Sequence, residues 1–161
     1  MPSNSQTVTQ LKSKYRTKAN SFIRKAEKHL GSDDDVAKIC AFYAAYHAMH
    51  YALLCDPLFT LSNSDFEKQM KGLKGMHKEC NNPTHHDGRP GSRGIGLNQV
   101  VTYLYKDYRL DYLSLHKTSV DVRYVVDYDY TVIDVARDAY DVANKIVSDA
   151  LSGKICWEMK P

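Results

Sequence analysis

The sequence predicts an all-α domain, an antiparallel bundle of about five helices. Three observations carry that expectation. Apolar residues recur at three- and four-residue steps over most of the chain, strand-like alternation is scarce, and glycine, proline and acidic clusters fall where helices start and stop. With 161 residues, 43% of them apolar and 25% charged, the chain can bury one sizeable core, which excludes disordered and fibrous classes. A single domain over 1–161 is expected, with a variable loop at about 81–96.

The elements follow in order. Val8, Leu11, Tyr15, Ala19, Phe22, Ala26 and Leu30 make one amphipathic helix, closed by Gly31. Ser32 and Asp33–Asp35 supply an N-cap and carboxylates for a second helix, which runs to about Cys55 and stops before Pro57. That helix is apolar around most of its circumference, which makes it the central one. Ser64 starts a third, with Phe66, Met70, Leu73 and His77 on one side, weakened by Gly72 and Gly75. Leu97, Val101, Leu104, Tyr108, Tyr112 and Leu115 are spaced as a fourth helix, and 116–130 reads as a connection. A capping box of Thr131 and Asp134 opens the last helix, whose inner face is Ile133, Ala136, Tyr140, Ala143, Val147 and Ala150.

Charge and composition narrow the function classes. The net charge is +3, yet residues 1–31 carry +6 and residues 107–161 carry −3. A basic end suits nucleic acid, self-association or solubility. Cys40, Cys55, Cys80 and Cys156 form no CxxC pair and are expected as reduced, small core residues. No signal core or membrane-length apolar run is present, so a cytoplasmic location and no membrane partner are expected. Tyrosine is abundant, at twelve against four phenylalanines and one tryptophan.

Several residues are candidates for chemistry. His47 and His50 share a face of helix two near Tyr43, Tyr46 and Tyr51; they are either core histidines or part of a polar surface. His77, Cys80, His85 and His86 have ligand-like spacing but no second paired motif, so neither a metal nor another cofactor is assigned. Arg89 and Arg93, in a glycine-rich loop before a helix, and the basic face bearing Lys14, Lys18 and Lys25 are candidates for RNA or partner binding. Tyr103, Tyr105 and Tyr108 spread around helix four, so at least one is expected to face solvent or a second protomer.

The run from 37 to 54, AKICAFYAAYHAMHYALL, resembles the second helix of HEPN domains, which are all-helical prokaryotic domains. The segment Arg123-Tyr124-Val125-Val126-Asp127-Tyr128 is similar to the Arg-x-x-Ala-Asp-Tyr element that opens the last helix in many members. The likeness covers about 30–55 and 112–152. It implies a homodimer of a prokaryotic defence or toxin–antitoxin system that binds RNA or a partner protein. Ribonuclease members pair an arginine with a histidine that follows after four to six intervening residues. Here Arg123 stands in the arginine position, and Tyr128, Asp129 and Tyr130 occupy the places where the histidine belongs. The resemblance therefore implies an RNA-binding module with an incomplete catalytic pair. A metal-independent ribonuclease toxin using Arg123 with Tyr128, His47 or His116 is the alternative. His47 occupies the family's His-Ala position. Tyr130 matches a tyrosine that partner nucleotidyltransferases modify in some toxin members, although Tyr128 and Tyr130 also read as residues capping a helix start.

Overall fold

The computed structural model describes residues 4–73, 95–124 and 133–158. They form six α-helices and no strand: α1 (Asn4–His29), α2 (Asp34–Cys55), α3 (Asn63–Gln69), α4 (Leu97–Leu104), α5 (Arg109–Tyr124) and α6 (Ala136–Leu151), with a 3₁₀ turn at Pro57–Thr60. The expected helical bundle is present, and α2 is its axis.

Fourteen of the 22 residues of α2 are buried, around all of the helix but the flank of Ile39, Tyr43 and Tyr46. Around it pack α1, α5 and α6. Alanine makes the close approach to α6 feasible: Ala41, Ala44, Ala45, Ala48 and Ala52 of α2 and Ala139, Ala143 and Ala150 of α6 are all buried. The turn between α1 and α2 follows the sequence closely. Gly31 takes φ +76°, a conformation that a side chain would strain. The Asp33 carboxylate then accepts from Val36 N at 3.1 Å, and Asp34 accepts from Gly31 N at 2.9 Å.

The second half of the chain departs from the expectation in three places. The single fourth helix is broken into α4 and α5 at Tyr105, whose φ and ψ are −112° and 61°. Tyr105 leaves the helix because its side chain is drawn inward to Asp56, 2.8 Å from the hydroxyl. Residues 116–124, read as connection, continue α5, so Arg123 sits in the last turn of a helix instead of opening the final one. Finally, α6 starts at Ala136 after Val135 with no side-chain cap; the capping box with Thr131 falls on a residue outside the described ones, and Asp134 precedes the helix. Ser62, two residues before the expected start, caps α3, which ends at Gln69. The Tyr103 ring closes that end: its hydroxyl donates to Gln69 O at 2.8 Å and accepts from Gly72 N at 3.2 Å. A Cβ on Gly72 would lie 2.6 Å from the ring.

Tyr105 is buried, whereas Tyr103 and Tyr108 are half-buried and keep part of their rings at the surface. Each reaches a different distant segment, Tyr108 donating to Asp149 at 3.1 Å near the end of α6. Asp56 is the deeper junction. It is 4% exposed and accepts from Leu58 N at 2.9 Å, Trp157 N at 2.8 Å and the Tyr105 hydroxyl. Burial pushes its carboxyl above the usual range, and the three donors offset that only in part. The cysteines divide: Cys40 is in the core as expected, whereas Cys55 and Cys156 are exposed because each follows the last core residue of its segment.

Two predictions follow from these junctions. Asp56→Ala strands three donors near the core and should destabilise the protein by about 2–4 kcal/mol in urea unfolding. For Asp149, burial raises the carboxyl but hydrogen bonds from Lys145, Tyr108 and Lys154 outweigh it, so the folded group titrates below the usual range. Its stabilisation is complete above the unfolded carboxylate pKa of about 4 and is lost as pH falls through the lower folded value. Asp149→Asn should therefore be less stable than the wild type at pH 7, with the gap closing toward pH 2–3 in unfolding titrations.

Candidate nucleic-acid interface

The helices around α2 leave one flank of it open. α1 packs on α2 and α6, while α5 packs on α2, α4 and α6; α1 and α5 share no extended contact. Between them the half-buried rings of Tyr43 and Tyr46 form a floor, with His47 beneath.

One wall comes from α1. Lys14, Lys18, Phe22 and Lys25 follow at steps of four, four and three, which puts them on one flank of the helix. Contacts fix which flank it is. The Phe22 ring lies 5.5 Å from Tyr43 and 5.4 Å from His47, and the Lys25 ammonium sits 5.1 Å above Phe22. Lys14, Lys18 and Lys25 are exposed.

The other wall is the end of α5. Arg123 Nε donates to Ser119 O and Nη1 donates to the Tyr43 hydroxyl, both at 2.9 Å. The guanidinium carbon is 5.5 Å from the Tyr43 ring and 5.0 Å from the Tyr124 ring. Tyr124 itself is 71% exposed. Lys25, Phe22, Tyr43, Arg123 and Tyr124 therefore form a continuous strip of cations and rings across the groove. Ion pairs among the described residues join Lys68 to Asp65, Lys117 to Asp121, and both Lys145 and Lys154 to Asp149. None of them neutralises Arg123 or the three lysines of the α1 wall.

Beneath the strip the packing is aromatic. His50 is fully buried, stacked on Tyr15 at 4.5 Å and met edge-on by Tyr46 at 4.6 Å. Burial, reinforced by the neighbouring phenols of Tyr15 and Tyr43, pushes Tyr46 up to about 12, so it stays neutral. His47 is 7% exposed and packs against Phe22 and Tyr46. The side chain that meets Arg123 is Tyr43, one turn before His47. His116 turns the other way, to Asn98 at 3.1 Å and to the Phe42 ring at 5.1 Å.

The groove thus gathers Arg123, Lys14, Lys18 and Lys25, and puts His47 under its floor. Tyr128, Tyr130, Arg89 and Arg93 lie outside the described residues, as do His77, Cys80, His85 and His86. Among the described residues no group of three or more His, Cys, Asp or Glu is arranged to hold a metal, and no helix is long and apolar enough to cross a membrane. Sequence reasoning missed Phe22 as a member of the strip; it set Tyr43 and Tyr124 in two tyrosine-rich stretches facing each other around Arg123, but favoured His47 over Tyr43 as the residue of α2 that matters. The available signal was spacing: Tyr43 is four residues before His47, and Phe22 is three and four residues from Lys25 and Lys18.

Chemically, the arrangement offers a guanidinium with two of its five donors engaged within the described residues. It also offers an exposed ring beside that guanidinium, and a row of exposed ammonium groups on the opposite wall. No family model, no curated protein and no solved structure matches this chain.

Proposed function

We propose that this chain is a HEPN-like helical module that binds single-stranded RNA along the groove between α1 and α5. The observation that carries the reading is Arg123, held by Tyr43 and Ser119 between two rings, with no carboxylate paired to it among the described residues. Single-stranded nucleic acid is bound by this combination of backbone-tracking cations and rings on which bases stack. In this reading Arg123 takes a phosphate through its remaining donors, Tyr124 stacks a base, and Lys14, Lys18 and Lys25 follow the backbone. The reading is of binding, not cleavage. The group in contact with the guanidinium is the Tyr43 phenol, and His47, the histidine of α2 that the resemblance favours, is buried and packed against Phe22. Pairing of two protomers, and a role beside a partner in a prokaryotic defence or toxin–antitoxin system, belong to the same proposal through the residues that resemble HEPN domains.

The test is fluorescence anisotropy with a labelled single-stranded RNA of about twelve nucleotides. Arg123→Ala should weaken binding about tenfold or more, and Tyr124→Ala by about five- to a hundredfold. The Lys18→Ala, Lys25→Ala pair should lower the slope of log K against log salt by about 1.4. Equal affinity of wild type and Arg123→Ala rejects the reading. Fragments that appear with wild type and vanish with Arg123→Ala replace it with the ribonuclease reading.

A further inference from the structure

Cys55 and Cys156 are the exposed thiols of the described residues, and both flank the Asp56 junction. Cys55 ends α2 immediately before Asp56. Cys156 immediately precedes Trp157, whose backbone N–H donates to the Asp56 carboxylate at 2.8 Å. One hydrogen bond therefore ties together the two chain segments that carry the thiols, which are about 100 residues apart in sequence. A second group senses both. The Tyr105 hydroxyl, bonded to the same carboxylate, is pushed well above its ordinary range by burial first and Asp56 next, with further contributions from Cys156 and Cys55.

The surroundings of the two thiols differ. Cys55 is held at the end of α2, where the Tyr51 side chain, one turn back, meets both Cys55 and Arg16. The thiolate is the form that attacks oxidants, and an exposed thiol is the one oxidants reach. Cys156 lies in the segment after α6, which is not helical over 153–158. A disulfide needs Cα atoms within about 7 Å, and a non-helical segment can adjust to reach that geometry where a helix end cannot.

We propose that Cys55 and Cys156 are a redox-modification site, joined by a reversible disulfide when the protein meets a peroxide. The Cys55 thiolate attacks one peroxide oxygen, the O–O bond breaks, and a proton from solvent converts the leaving hydroxide to water, leaving a sulfenic acid on Cys55. The Cys156 thiolate then attacks the Cys55 sulfur. The S–S bond forms as the S–O bond breaks, and a second water leaves with the proton lost by Cys156. Two thiols are oxidised and one peroxide is reduced to two waters; a dithiol reductant reverses the step. The bond fastens the C-terminal segment to the end of α2. That segment also walls a cavity of about 730 Å³ with Tyr103 and Tyr108, whose shape the bond would hold fixed.

The experiment treats the full-length reduced protein with hydrogen peroxide, followed by non-reducing peptide mass spectrometry and thermal unfolding. The expected result is a peptide pair linking Cys55 to Cys156, two fewer free thiols, and a melting temperature raised by roughly 5–10 °C that dithiothreitol reverses, since a bond across a loop this long constrains the unfolded chain strongly. In Cys156→Ser, Cys55 should be trapped as the sulfenic acid by dimedone. In Cys55→Ser, Cys156 should stay unlabelled. Both substitutions are at exposed positions, so the fold tolerates them. A linkage running through Cys80, sulfinic acid at Cys55 with Cys156 still present, or peroxide that leaves both thiols free would each overturn the proposal.

Discussion

Everything in this structure depends on the burial of α2 around most of its circumference. A helix that is apolar over so much of its surface cannot be stabilised by a charged face of its own, so the other helices must cover it. The small side chains of α2 let α6 approach closely, and the larger ones, Phe42, Met49 and Leu53, fill the core, Phe42 against Tyr112 and His116 of α5. The turn at Gly31 folds α1 back along it. Of the three helices around α2, α6 packs on both α1 and α5, and the gap falls between α1 and α5.

That gap is where the polar chemistry collects. Tyr43 and Tyr46 are apolar enough to floor the groove and polar enough to tolerate its water, which is the usual place for an amphipathic ring. Arg123 reaches into the gap because α5 runs on past the point where the connection was expected, and its last turn overhangs Tyr43. His47, the residue with the most recognisable sequence context, is one turn too far along α2 and is absorbed into the stack under Phe22. The proposed RNA groove is thus a by-product of how α2 is covered, with its charge supplied from both walls.

The three tyrosines at the junction of α4 and α5 do a different job. Tyr103 holds the end of α3, Tyr105 the end of α2 and the C-terminal segment, and Tyr108 the end of α6. One short stretch thereby anchors four segments that no helix–helix packing would hold. The abundance of tyrosine has this double origin, rings around the groove and hydroxyls that reach buried acceptors. The exposed thiols at the Asp56 junction gain their relevance from the same convergence.

The sequence by itself determined the local facts. The Gly31 turn, the cap at Asp33, the stop before Pro57 and the apolar circumference of α2 are written in residues within a few positions of one another, where propensity and capping act. The flank of α1 that carries Lys14, Lys18 and Lys25 was legible for the same reason. What only the tertiary structure decided was long-range pairing. The break at Tyr105 depends on a carboxylate 49 residues away, and the choice of Tyr43 over His47 depends on an arginine 80 residues on. A periodic pattern reports which face of a helix is buried, but it says nothing of which distant side chain meets it, because that is set by how helices of given length and volume pack around α2.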